Sequence, residues 1–160
     1  MNAVQIVNIL SLDSNILKKF SGVFAADTLP SNISHLPKFL IVNSDVQSGP
    51  GQHWLALYIP PQGPPEFFDS LGLSPKQYLA SFEQFLINHG PQYIYSDKRL
   101  QNYGSNTCGL YVLYYVILRC RGFTMHDIIN NLSSNLAQND ILTLNFVHEF
   151  MRNALWKGTS

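Results

Sequence analysis

Residues 109–118 (Gly-Leu-Tyr-Val-Leu-Tyr-Tyr-Val-Ile-Leu) form the longest apolar run in the chain, and they constrain its fold more than any other segment. Spanning a bilayer as a helix takes about 20 apolar residues, so a run of about ten is too short. From Cys108 to Arg119 the pattern has helical length but is apolar all round, which predicts a helix buried at the centre of a soluble domain. The other elements must pack around it. A length of 160 residues suits one compact domain over 1–160, burying roughly 70% of the surface its unfolded chain would expose. No repeat, low-complexity tract or linker divides the chain.

Residues 2–10 place Ile6, Ile9 and Leu10 on one helical face, whereas Phe20 to Pro30, punctuated by Gly22 and Pro30, reads as a loop. Phe39 to Asn43 is a short β-branched run that reads as a strand, and Ser48-Gly49-Pro50-Gly51 forces a turn. His53 to Ile59 is almost continuously apolar, which suits a strand covered on both faces. The proline-rich connector 60–65 leads into a second short strand at 66–69, so residues 53–69 read as a hairpin-like pair. Ser74 and Pro75 open a helix that Gly90-Pro91 ends, and Gln92 to Ser96 reads as another strand. Amphipathic helices at about 124–135 and 140–156 complete the chain. The expected class is α+β, a small mixed central sheet packed on the buried helix.

Ten Lys and Arg against ten Asp and Glu leave no net charge. That argues against a generic electrostatic grip on DNA, RNA or anionic lipid. Two cysteines, Cys108 and Cys120, cannot build a disulfide framework or a four-thiolate zinc site, and they read as thiols in a reducing, intracellular setting. The N-terminus has no signal-type hydrophobic run.

The most informative segment is Gln101-Asn102-Tyr103-Gly104-Ser105-Asn106-Thr107-Cys108-Gly109-Leu110. Asn106 or Thr107 would cap the buried helix and leave Cys108 in its first turn, where unpaired N–H groups and the positive dipole end favour a thiolate. Gly109 removes a side chain that would crowd a carbonyl approaching the sulfur. Cys120, at the far end of the same helix, suits a buried core position. Taken singly, His53 suits a structural histidine, Asp69 an Asx-type turn former and Trp54 a core residue. Taken together, they supply what a cysteine nucleophile needs: a base, a group to orient the base, and oxyanion donors. One hairpin brings His53 and Asp69 side by side, and Gln101 lies seven residues before Cys108 on the loop feeding its helix.

The chain order His, Asp, Gln, Cys differs from papain-like enzymes, where Cys comes first. It resembles the adenovirus-type endopeptidases (adenain) and, more distantly, the proteases that remove SUMO or NEDD8. Leu40-Ile41-Val42-Asn43, then Gly51 and His53-Trp54, resembles the adenain "IVN…GG-x-HW" segment. Phe67-Phe68-Asp69-Ser70-Leu71-Gly72 resembles the segment of the acidic triad member, and Gln101 with Cys108-Gly109-Leu110-Tyr111 the oxyanion glutamine and nucleophile. Phe20 to Pro30 is similar to the N-terminal signature of relatives in virus-like DNA transposons. Thr107 stands where the SUMO-protease branch commonly has Asp.

The resemblance implies a cysteine endopeptidase on the adenain and ubiquitin-like-protease fold, with Cys108 as nucleophile, His53 as proton shuttle, Asp69 as its orienting acid and Gln101 in the oxyanion hole. It further implies Trp54, Gly51 and Gly109 at the substrate channel and a preference for small residues, often glycine, before the scissile bond. The expected substrates are structural precursor proteins of a virus or mobile element, in the host nucleus, a viral factory or the virion. No cofactor, metal or membrane is expected, and the chain is expected to be a monomer. Zero net charge leads us to expect no dependence on DNA, and the position of Cys120 speaks against a disulfide-linked peptide activator. The alternatives are a deubiquitinase or ubiquitin-like isopeptidase, and a non-catalytic binding module of the same fold.

Overall fold

The computed structural model describes residues 1–157, so the last three of the single domain expected over 1–160 lie outside the described residues. Its centre is a five-stranded mixed sheet whose strands lie in chain order. β1 (Phe20–Ala25) runs parallel to β2 (Lys38–Asn43), and β3 (Trp54–Ile59) is antiparallel to both β2 and β4 (Glu66–Phe68). β5 (Ile94–Tyr95) closes the other edge, parallel to β4.

Strand alternation divides the core into two layers. Phe39, Ile41, Ala56, Tyr58 and Phe68 face the helix α4 (Cys108–Cys120), while Leu40, Val42, Leu55, Leu57 and Phe67 face α3 (Ala80–His89) on the opposite side. The continuous apolar character of residues 53–59 follows from this double coverage. Tyr111 to Leu118 are all buried in α4, as an all-round apolar helix requires. Around α4 pack α1 (Ala3–Leu10), α2 (Ser14–Lys19), α5 (Met125–Asn130) and α6 (Leu136–Lys157). The C-terminal half of α4 is tied to β4 by an ion pair in which Arg119 grips Glu66 with two bonds, 2.8 and 3.0 Å, and the Tyr115 hydroxyl donates to the same carboxylate.

Three expectations are corrected and one helix is added. Phe20 to Ala25 is a strand, not a loop: Phe20, Val23 and Phe24 all pack on the core, and Gly22 sits where the register to β2 shifts rather than ending the element. α2 was not legible in the sequence; Asp13 caps it by accepting from the N–H groups of Asn15 and Ile16. The helix expected from Ser74 breaks into a 3-10 turn at Pro75–Gln77 and a separate α3, because Tyr78 leaves the helical path to reach the sheet. The last two helices divide differently, α5 ending at Asn130 and α6 starting at Leu136, where Asn135 accepts from the Gln138 N–H.

Candidate active site

His53 immediately precedes β3 and Asp69 immediately follows β4. With Ala56 paired to Phe68, both side chains leave the same end of the hairpin, and His53 Nε2 lies 2.7 Å from Asp69 Oδ1. The fully buried Asp69 carboxylate is also held by its surroundings. Oδ1 accepts from the Leu71 N–H at 2.8 Å, and Oδ2 from the Leu73 N–H at 3.1 Å and the Tyr78 hydroxyl at 2.8 Å. Asp69 is therefore both an Asx-type turn former and the partner of His53. Ser96 fixes its backbone, the hydroxyl accepting from the Asp69 N–H at 2.7 Å and donating to the Asp69 carbonyl at 2.8 Å.

Cys108 is the first residue of α4, at the open, electropositive end of the helix. The expected side-chain cap is absent: Thr107 precedes the helix, but its hydroxyl donates to Asp140 at 3.1 Å instead of accepting from the first turn. Burial disfavours a charged Cys108, yet hydrogen bonding to His53, the N–H groups of Trp54 and Gly109, and the histidine's charge outweigh it and lower the thiol pKa. Burial likewise opposes a charged His53, and the bonds and negative charges of Asp69 and Cys108 prevail, raising its pKa to about 9. Each group thus favours the charged form of the other. Since Nε2 is committed to Asp69, Nδ1 is the nitrogen left to exchange a proton with the thiol.

Gln101 is buried beside them, and its amide orientation is fixed by two partners. Oε1 accepts from the Ser70 hydroxyl at 2.7 Å, so the nitrogen is the atom that donates to the Ser105 carbonyl at 2.7 Å. One amide hydrogen remains for a ligand in the cleft that Gln101 and Cys108 both line. The loop carrying Gln101 is clamped from α6: Asp140 Oδ1 accepts from Tyr111, Thr107 and the Asn102 N–H, and Asn139 donates to the Leu100 carbonyl at 3.0 Å. Ser70, Tyr78, Ser96 and Asp140 were not read from the sequence. Each acts across 9 to 38 residues of chain, and such pairings carry no local pattern.

The cleft has a volume of about 890 Å³, and His53, Trp54 and Gly51 border it. Trp54 donates its indole N–H to the Met1 carbonyl at 3.0 Å. Gly109, expected at the substrate channel, is buried under Met1: a Cβ there would lie 2.9 Å from that of Met1. Its missing side chain makes room for the N-terminus rather than opening onto the cleft. Cys120 is half-buried, and burial pushes its thiol up to about 11. It lies about 18 Å along the helix from Cys108, beyond disulfide reach.

No protein-family model and no curated protein matches the chain. Among solved structures it is similar to the ASFV pS273R protease, with 20% sequence identity and a TM-score of 0.48. That match covers 66% of this chain and 43% of the other, so the likeness spans less than half of that protein. No helix among the described residues is long and apolar enough to cross a membrane.

Proposed function

We propose that the chain is a cysteine endopeptidase. The observation that carries this reading is the His53 imidazole, bound at 2.7 Å to the buried Asp69 and coupled to a Cys108 thiol of lowered pKa at a helix N-terminus facing the cleft. A structural histidine or a core cysteine needs none of these arrangements.

In the proposed cycle the Cys108 sulfur attacks the peptide carbonyl carbon, the C–S bond forms, and the carbonyl π electrons move onto oxygen. The free Gln101 amide hydrogen and the Cys108 backbone N–H stabilise that oxyanion. His53, protonated by the thiol, gives its Nδ1 proton to the leaving nitrogen as the C–N bond breaks. Asp69 holds the imidazole in the tautomer with hydrogen on Nε2 and stabilises its charged form. Water then attacks the thioester, His53 accepting its proton, and the C–S bond breaks to release the acid and the thiolate.

The finer reading is cleavage after small residues, often glycine, in structural precursor proteins of a virus or mobile element. The ordered sequence blocks around His53, Asp69, Gln101 and Cys108 support it, as does Trp54 beside the nucleophile. We further propose a monomer working in a reducing compartment, where Cys108 stays a thiol, without DNA or a disulfide-linked peptide activator. Coexpression with candidate capsid and core proteins from the same genome, read by mass spectrometry of new termini, is the test. Wild-type protein should generate new termini and Cys108→Ala none; equal cleavage by both would refute the reading. Reaction with ubiquitin or SUMO electrophiles, without precursor cleavage, would assign the same machinery to isopeptide bonds. Added duplex DNA should leave the rate unchanged.

A further inference from the structure

The cleft beside Cys108 has an uneven charge distribution. The protein balances ten acidic against ten basic residues, yet among the described residues no Asp or Glu side chain lines the cleft, whereas Arg99 does. Among the described residues Arg99 has no carboxylate partner; the ion pairs among them join His53 to Asp69, Lys76 to Glu83 and Arg119 to Glu66. Its one hydrogen-bond acceptor among the described residues is the Gln101 carbonyl, at a long 3.4 Å. Neighbouring Lys98 differs, since its ammonium group is spent on the Leu132 carbonyl at 3.2 Å.

Arg99 is also held in place. The Gly72 turn packs so tightly on the Lys98–Arg99 peptide that a Cβ at Gly72 would lie 2.6 Å from the Arg99 nitrogen. The next two N–H groups, Leu100 and Gln101, both donate to the Ser70 carbonyl, at 2.8 and 3.1 Å. At the other end of the side chain, the guanidinium lies 4.2 Å over the ring of the largely exposed Tyr103. A cation fixed at both ends, half-buried and without an anionic partner is an electrostatically incomplete group. Its planar fork of N–H donors matches a carboxylate.

We propose that Arg99, backed by Tyr103, is an anion subsite that selects substrates carrying an Asp or Glu side chain close to the scissile bond. This rests on the endopeptidase reading and names the chemistry of its substrate. The Arg99 guanidinium reaches the Gln101 carbonyl and lines the same cleft as Cys108, so the acidic side chain belongs to the substrate segment near the cleaved bond.

The test separates binding from cleavage. ¹⁵N-labelled Cys108→Ala protein is titrated with acetylated, amidated tetrapeptides of glycine that carry one Glu at each position in turn, and with their Gln counterparts. At one position the Glu peptide should bind about tenfold more tightly than the Gln peptide, the strength of a charge-assisted pair at a partly buried site. It should shift the Arg99 side-chain N–H resonance and weaken as salt is raised. The preference should vanish in Cys108→Ala/Arg99→Gln and persist in reduced form with Arg99→Lys. Glu and Gln peptides that behave alike, including no measurable binding of either, overturn the subsite. A Glu preference that survives Arg99→Gln overturns it too. If Glu selectivity holds but wild-type protein cleaves no acidic precursor, the endopeptidase reading fails and the subsite stands; cleavage without acidic preference is the reverse outcome.

Discussion

Gly72→Ala tests how the loop bearing Gln101 is held. Gly72 has φ +74°, and an added Cβ would lie 2.5 Å from the Lys98 carbonyl carbon, 2.6 Å from the Arg99 nitrogen and 2.9 Å from the Lys98 oxygen. All three are backbone atoms, so no side chain can rotate out of the way. Since ordinary contact begins at 3.4 Å, the loop must withdraw by close to 1 Å. Gln101 must move with it, or give up its shared anchor on the Ser70 carbonyl. The positive φ costs about 1–2 kcal/mol and the overpacking about 1–3 kcal/mol. A loss of about 3 kcal/mol lowers Tm by roughly 6–12 °C in a chain of this size. A displacement near 1 Å of an oxyanion donor costs about 10²-fold in rate. Thermal melts followed by circular dichroism measure the first effect, and acylation of Cys108 by p-nitrophenyl acetate the second. Gly63→Ala is the control, since Gly63 has φ +93° with nothing within 4 Å of the added Cβ, and so reports backbone strain alone. If Gly72→Ala melts with Gly63→Ala and acylates at the wild-type rate, the loop is not held as argued.

Asp69→Asn should lower kcat by about 10²–10⁴-fold, because an amide neither fixes the His53 tautomer nor stabilises its charge. It should also change the pH dependence of Tm. Folded His53 binds its proton more tightly than the unfolded chain does, so its stabilising contribution is complete below the unfolded value of 6.5 and is lost as pH climbs through about 9; removing Asp69 should flatten that decline. Iodoacetamide near neutral pH should alkylate Cys108 and spare Cys120, whose thiol is held at about 11, as read by peptide mass mapping; faster labelling of Cys120 would contradict both environments. Asp140→Ala should lower kcat about tenfold with KM unchanged, and cost nothing further in a Gln101→Ala background; additive losses would show that Asp140 acts by another route. Arg119→Ala strands the buried Glu66 and should cost about 3–5 kcal/mol in denaturant melts, with Cys108 alkylation unaltered.

The buried helix and the β3–β4 hairpin were legible because each announces itself locally. An apolar run of ten residues and a doubly covered strand leave few other placements, and the hairpin follows from its connector. His53, Asp69, Gln101 and Cys108 could be grouped because a cysteine nucleophile needs those four functions. The supports of that group left no comparable trace. Tyr78 sits in a stretch that reads as helix, and its departure becomes intelligible once Asp69 is seen to need another donor. Asp140 lies on an ordinary amphipathic pattern, and its use depends on α6 crossing the loop 32 residues after Cys108. Gly22 misled because glycine marks both loops and strand irregularities, and the flanking aromatics decide between them after the core is assembled.

The Asp140 clamp also bears on when the protein becomes competent during its own synthesis. His53, Asp69 and Cys108 leave the ribosome well before α6 does, but the loop that aims Gln101 is tied down by residues on that helix. A nascent chain therefore holds Cys108 before it holds an organised Gln101 loop. Ribosome-bound chains ending before Leu136 should accordingly fail to be acylated at Cys108, whereas the released protein reacts. The organisation of the Gln101 loop is thus tied to the arrival of α6 rather than to the site residues themselves.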